Sequence, residues 1–158
     1  CLSVLEQYAA FDIHSIEQPI AAGQHQELAA LVRTSPIPIA LDEELIGLDS
    51  PEEMTTLLQE VQPHYLVLKP MLHGGFDRCD QWIRLAEEGG VRWWATSYLE
   101  SNIGLHALGQ WLSRYQPSIP QGLGTGGIYT TNIDGPLNVE RGELVYDAHG
   151  RWRMPWNQ

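Results

Sequence analysis

The stretch His64-Tyr65-Leu66-Val67-Leu68-Lys69-Pro70 is a strand that ends on a charge. Tyr65 to Leu68 is an unbroken apolar run, the pattern of a strand covered on both faces in a parallel sheet. Lys69 ends the run, and Pro70 has no N–H with which to continue a ladder. The same design recurs on either side. Residues 12–17 form a short run closed by Pro19, 38–42 a second and 91–97 a fourth, with a weaker fifth near 119–123. Between them, segments of helical period cover 23–32, 50–61, 76–88 and 103–112. The third of these follows Gly74-Gly75, and Ser50-Pro51-Glu52-Glu53 opens the second with an N-cap, a first-turn proline and first-turn acids. Strands alternating with helices predict consecutive βα units and a parallel sheet.

In the first four units the polar residues fall at the C-terminal end of the strand: Glu17, Asp42, Lys69 and Thr96-Ser97. In a β/α-barrel those ends form the face where chemistry is done. About five strands do not close an eight-stranded barrel, and an open parallel sheet would leave an edge and a buried face exposed. The expected fold is therefore α/β, the C-terminal part (about strands 4 to 8) of a TIM β/α-barrel. An open doubly wound sheet is the alternative. It normally carries a Gly-rich phosphate loop after its first strand, and Glu17-Gln18-Pro19-Ile20 is not one. Residues 1–129 are read as the partial barrel and 130–158 as a tail with a hairpin near 139–146, packing on the barrel or on a capping domain. The first ten residues read as mid-helix, so the chain is expected to be a piece of a longer protein.

Composition narrows the partners. The chain has 158 residues, 43% hydrophobic and 18% charged, the balance of a globular domain. Nine Lys and Arg against twenty Asp and Glu give a formal charge of −11, which repels phosphate backbones and anionic headgroups, so neither nucleic acid nor membrane is expected as a partner. A divalent cation reverses the local field, and an anionic substrate stays compatible. Cys1 and Cys79 make neither a disulfide framework nor a zinc spacing, which points to a reducing cytoplasm. No run approaches the ~20 apolar residues of a membrane helix, and the first residues do not read as a signal peptide.

Glu17 and Asp42 each end a strand, and adjacent parallel strands would bring both carboxylates to one side, which is how an oxygen-rich Mg²⁺ site is built. Acids at strand ends also cap helices or face solvent. Lys69 would point into a barrel mouth, where desolvation and a nearby cation lower its pKa toward a catalytic range; a snorkelling surface lysine is the other reading. Glu43 is either a partner that orients the ligand set or a helix-start acid. Gly74-Gly75 lets the backbone approach a substrate, or is a plain turn. Glu100-Ser101-Asn102 reads first as a helix cap and second as a substrate contact. The glycines of 122–127 could admit a carboxylate to backbone N–H groups, with no paired acids beside them for the ammonium of a dipeptide. His14, His25, His64, His73 and His106 show no His-x-x-x-His spacing and read as structural or surface residues, His73 alone being a pocket candidate. Trp93 and Trp94 read as core and wall packing.

Taken together and in order, Ile16-Glu17-Gln18-Pro19, Ile39-Ala40-Leu41-Asp42-Glu43-Glu44, Leu68-Lys69-Pro70 with Gly74-Gly75, and Thr96-Ser97-Tyr98-Leu99-Glu100-Ser101-Asn102-Ile103-Gly104 resemble the enolase superfamily. Within it they look most like the o-succinylbenzoate synthases, close to the muconate-lactonizing subgroup, and the resemblance runs to about Tyr129. It implies that Glu17 and Asp42 bind Mg²⁺ and that Lys69 faces the substrate. It implies that Ser97, with Thr96, holds a substrate carboxylate or succinyl chain.

The implied reaction is that of a lyase of menaquinone biosynthesis: syn elimination of water from a succinyl-bearing cyclohexadiene carboxylate, giving 2-succinylbenzoate. Mg²⁺ on the carboxylate stabilises the enediolate charge that makes a weakly acidic C–H removable. In the superfamily a second-strand lysine takes the proton, and the counterpart of Lys69 supports the charge from the opposite face. That Lys-x-Lys pair, a third-strand Asp ligand and an N-terminal capping domain have no counterpart in 1–158. The isolated chain is therefore expected to be incomplete, with the N-terminal half of the same enzyme as its partner and a homo-oligomer open. N-acylamino acid racemisation and muconate cycloisomerisation share the same framework and stand as alternatives, as does a non-catalytic half that assembles with a partner chain.

Overall fold

The computed structural model describes residues 1–154. They form two compact units, Cys1–Trp94 and Ala95–Gln158, the second described as far as Met154. The first unit contains α1 (Leu2–Tyr8), β1 (Ile16–Glu17), α2 (His25–Thr34), β2 (Ile39–Leu41), α3 (Pro51–Val61), β3 (Tyr65–Leu68) and α4 (Phe76–Glu88), and β4 (Arg92–Ala95) runs to its boundary. The sheet order is β1-β2-β3-β4. β1 and β2 are parallel with Glu17 beside Ala40, and β2 and β3 are parallel with Ala40 beside Tyr65.

Residues in register share a face, and successive side chains alternate. One face therefore carries Ile39, Leu41, Leu66 and Leu68, each 0% exposed. Burial of each such side chain stabilises the fold by roughly 1.5–3 kcal/mol. The helices present matching buried stripes: Leu28, Leu31 and Val32 on α2, Met54, Leu57 and Val61 on α3, and Trp82, Ile83 and Ala86 on α4. The other face carries Glu17, Ala40, Tyr65 and Val67, and Asp42 and Lys69 continue it past the strand ends. Ala40, Tyr65 and Val67 pack into a cluster covered by Trp94, with the Arg92 guanidinium 4.2 Å above the Tyr65 ring. As the sequence predicts, Ser50 is the N-cap of α3 with Pro51 in its first turn; the structure adds a reciprocal capping box between Ser50 and Glu53.

The second unit holds α5 (Asn102–Leu112) and an antiparallel hairpin, β5 (Leu137–Glu140) and β6 (Glu143–Tyr146). The hairpin turns at Arg141-Gly142, both with positive φ (54° and 84°), the mirror-image turn that suits the twist of paired strands. The fifth strand expected near 119–123 is reduced to a single parallel bridge between Thr96 and Gly122. Pro117 and Pro120 supply no N–H there, and the chain passes so close to Thr96 that a Cβ at 122 would run into its side chain.

The tail makes specific contacts with α5. Asn102 donates from Nδ2 to the Ile133 carbonyl at 2.6 Å and accepts the Ile133 N–H at 3.3 Å. His106 stacks on Tyr146 with centroids 5.6 Å apart. These contacts join the tail and its hairpin to α5 within the second unit. The last four residues of the tail lie outside the described residues. Among the described residues no helix is long and apolar enough to cross a membrane.

Candidate metal and substrate site

Asp42 follows β2 and Lys69 follows β3, and their side chains meet: the Lys69 Nζ donates to Asp42 Oδ2. The pair is largely enclosed, with the side chains 17% and 6% exposed respectively. The other carboxylate oxygen, Asp42 Oδ1, is buried and has no hydrogen-bond partner among the described residues. Glu17 is more open. Its pKa is raised above the ordinary carboxylate value, first by partial burial and next by repulsion from Asp42; Lys69 pulls it down and Glu43 adds to the rise. Electrostatics thus ties Glu17, Asp42 and Lys69 to one another across three adjacent strands.

Two residues that the sequence reading passed over hold Asp42 in place. Gln18 Oε1 accepts the backbone N–H of Asp42 and of Glu44, each at 3.2 Å. Its Nε2 donates to the Ile20 carbonyl at 3.0 Å and to Glu44 Oε2 at 3.1 Å. Glu44, 6% exposed, also accepts the Gly23 N–H at 2.8 Å and meets His25 Nε2 at 2.9 Å. His25 reaches Glu60 through its other nitrogen at 3.0 Å. Gln18 holds φ at +37° to make these bonds, a conformation non-glycine residues seldom adopt. The buried acid next to Asp42 is therefore Glu44. Glu43, which the sequence leaves as an orienting partner or a helix-start acid, is exposed and opens the 3-10 turn Glu43–Leu45, where consecutive residues point in different directions. A glutamine after a strand-end acid and before proline was the available signal for the clamp, and alone it does not differ from a surface glutamine.

Around Lys69 the chain folds back on itself. The Lys69 carbonyl accepts the N–H of Leu72 at 2.8 Å and of His73 at 3.0 Å, and Gly75 N–H donates to the Pro70 carbonyl at 2.8 Å. Gly74 and Gly75 allow this return with φ of 78° and 89°. Gly74 belongs to that turn, and a Cβ there would come within 3.3 Å of Arg78. His73 is 3% exposed, and its Nδ1 lies 3.1 Å from the Lys69 amide nitrogen, which donates to it. Its pKa is lowered to about 4, by burial first and then by the Lys69 charge. His64 serves the sheet instead, its Nδ1 accepting the Ile39 N–H at 3.1 Å. Cys79 is a buried thiol pushed up to about 12, mainly by burial, and so stays protonated and unreactive.

In the second unit, Thr96 Oγ1 donates to the Gly122 carbonyl at 2.9 Å, and Ser97 N–H donates to the same oxygen at 3.1 Å. Ser97 is 7% exposed, and its hydroxyl shares a hydrogen bond with that of Thr125. The cap expected of Glu100-Ser101-Asn102 takes another form. Ser101 is the N-cap of α5 but makes no side-chain cap bond. Glu100 instead accepts the Tyr98 N–H at 2.7 Å, and Asn102 holds Ile133 as described above.

A hard divalent cation prefers oxygen ligands, and an unpartnered buried carboxylate oxygen beside a second, repelled carboxylate suits one in charge and in kind. Glu17 and Asp42 fit as two members of such a ligand set. Among the described residues no group of three His, Cys, Asp or Glu side chains is placed to hold a metal ion.

Comparison with known proteins identifies the family. The o-succinylbenzoate synthase of Desulfotalea psychrophila is 52% identical over 140 residues, covering 89% of this chain and 38% of that protein. The crystal structure of MenC from the same organism superposes with a TM-score of 0.87 at 51% identity, over 91% of this chain and 40% of that one. The muconate lactonizing enzyme of Pseudomonas putida shares the fold, with a TM-score of 0.80 at 22% identity over 94% of this chain and 41% of that one. The chain thus spans about two fifths of the length of these relatives, and its parallel α/β sheet corresponds to the C-terminal barrel portion of the fold. Residues 1–150 match the family described as enolase C-terminal domain-like, and the chain belongs to that family.

Proposed function

We propose that this chain supplies the acid–acid–lysine edge of an o-succinylbenzoate synthase, a cytoplasmic lyase that forms 2-succinylbenzoate for menaquinone biosynthesis. The observation that carries this reading is the meeting of Lys69 with Asp42 beside an unpartnered Asp42 Oδ1, in a chain 52% identical to a synthase. Glu17 and Asp42 are the residues that would hold Mg²⁺, with further ligands from outside this chain. The bound ion supplies positive charge for a substrate carboxylate and for the negative charge that grows on it when the adjacent C–H is broken.

The rest follows from this chain's own residues. Lys69, enclosed and aimed at Asp42, keeps an ammonium where that charge develops, which makes it an electrostatic stabiliser. It does not serve as the base, because its Nζ is already committed as a donor to Asp42. Gln18 and Glu44 hold the Asp42 backbone so that its carboxylate keeps its direction. Ser97 and Thr96 are assigned to the polar end of the substrate. The proton acceptor and the remaining metal ligand come from a preceding segment.

The test is a chimera in which this chain replaces the matched segment of the Desulfotalea psychrophila protein. Conversion of the cyclohexadiene substrate, followed by the ultraviolet absorbance of the aromatic product, should appear in the chimera and fall by about 10²–10³-fold in its Lys69→Ala form. A folded chimera that leaves this substrate untouched and racemises an N-acylamino acid would overturn the assignment.

A further inference from the structure

We propose that His73 is a positioning residue for Lys69: its Nδ1 takes the Lys69 amide proton, turns the backbone out of the sheet ladder and so fixes the aim of the ammonium at Asp42. The proposal rests on the preceding reading only for its catalytic consequence. Three observations carry the geometry. β3 ends at Leu68, and Pro70 removes the next donor, so the Lys69 N–H is the last that could continue the ladder. It goes instead to His73 Nδ1 at 3.1 Å. The Lys69 carbonyl is meanwhile engaged by the N–H groups of Leu72 and His73. Both polar groups of the Lys69 peptide are thus held by the turn 70–75, and a backbone fixed at both ends leaves only the side-chain torsions to place Nζ.

The chemistry of the contact sets the tautomer. An imidazole nitrogen that accepts a hydrogen bond carries no proton, so neutral His73 bears its hydrogen on Nε2. Burial keeps the ring neutral well below pH 7, and the acceptor persists through the range in which such an enzyme would work. A cationic ring would donate from both nitrogens and expel the Lys69 N–H. The ring also lies within reach of the Lys69 charge, which disfavours its protonation further.

Two substitutions separate the nitrogens. Asparagine places its carbonyl oxygen near the position of Nδ1; glutamine places its amide near that of Nε2. In this chain, amide hydrogen exchange at Lys69 should stay slow in the parent and in His73→Asn, and quicken by about tenfold or more in His73→Gln and His73→Leu. In the active chimera, His73→Leu and His73→Gln should lower kcat by about 10- to 100-fold while KM moves by less than about threefold, and His73→Asn should restore kcat. If His73→Leu fails to fold by circular dichroism, the Asn and Gln pair decides. Equal protection of Lys69 in all folded variants would overturn the proposal, as would a folded His73→Asn no better than His73→Gln. An inactive parent chimera would count against the synthase reading alone, because the exchange measurement judges His73 without turnover.

Discussion

The two units handle the end of a strand in different ways. In the first, Asp42 and Lys69 follow their strands directly, and each has its backbone N–H taken by a side chain of its own: Gln18 for Asp42 and His73 for Lys69. In the second, the Ser97 N–H goes to a backbone carbonyl, that of Gly122, which also accepts the Thr96 hydroxyl. A charged group aimed from a clamped peptide has few ways to relax when its clamp is cut. The Thr96 hydroxyl on the Gly122 carbonyl and the Ser97 hydroxyl on Thr125 can each rotate and find another partner or water. The comparison teaches that precision in this chain is concentrated where charge must be placed.

The largest expected effect breaks the comparison at its charged end. Lys69→Ala should lower kcat of the chimera by about 10²–10³-fold, with Ser97→Ala costing far less by the same ultraviolet assay. Next is stability. Leu66→Ala, at a site 0% exposed, should cost about 2–5 kcal/mol in urea unfolding, whereas Val145→Ala, at 38% exposed, should stay within about 0.5 kcal/mol.

Acid comes third. Because the folded His73 value lies below the ordinary 6.5, the unfolded chain takes up this proton first. Stability is full above about pH 6.5 and falls as pH drops toward 4, by on the order of a few kcal/mol, and His73→Asn should flatten that part of the profile. Gln18→Ala, which leaves two N–H groups and buried Glu44 short of partners, should cost about 1–3 kcal/mol. The smallest effect has the opposite sign. The raised pKa of Glu17 means that its ionised form is disfavoured in the fold, so Glu17→Gln should raise the melting temperature slightly at pH 7 and lose that advantage as pH falls through the Glu17 pKa.

Much of the first unit was legible in the sequence because its signals are local. Tyr65 to Leu68 is apolar without a break, Pro70 stops it, and Ser50 to Glu53 spells an N-cap followed by a first-turn proline and acids, so each element announces itself within a few residues. The second unit was less legible. A strand near 119–123 requires partners along its length, and the prolines together with the close passage at Gly122 leave one bridge. The hairpin itself is local and was readable, but its attachment to α5 through Asn102, His106 and Leu144 depends on residues some thirty to forty positions apart in sequence.

Within the candidate site, strand-end position was enough to single out Glu17, Asp42 and Lys69. It could not rank Glu44 over Glu43, because adjacent acids in one turn differ only in which of them the fold turns inward. His73 was visible only as a histidine before two glycines, and its bond to Lys69 exists because those glycines let the chain return.

The most direct measurement is Mn²⁺ binding to the chimera, followed by water-proton relaxation, with and without Asp42→Asn and Glu17→Gln. One ion per chain should bind, and either substitution should weaken it by about tenfold or more. Unchanged binding in both folded variants would contradict the assignment of these two carboxylates to one cation.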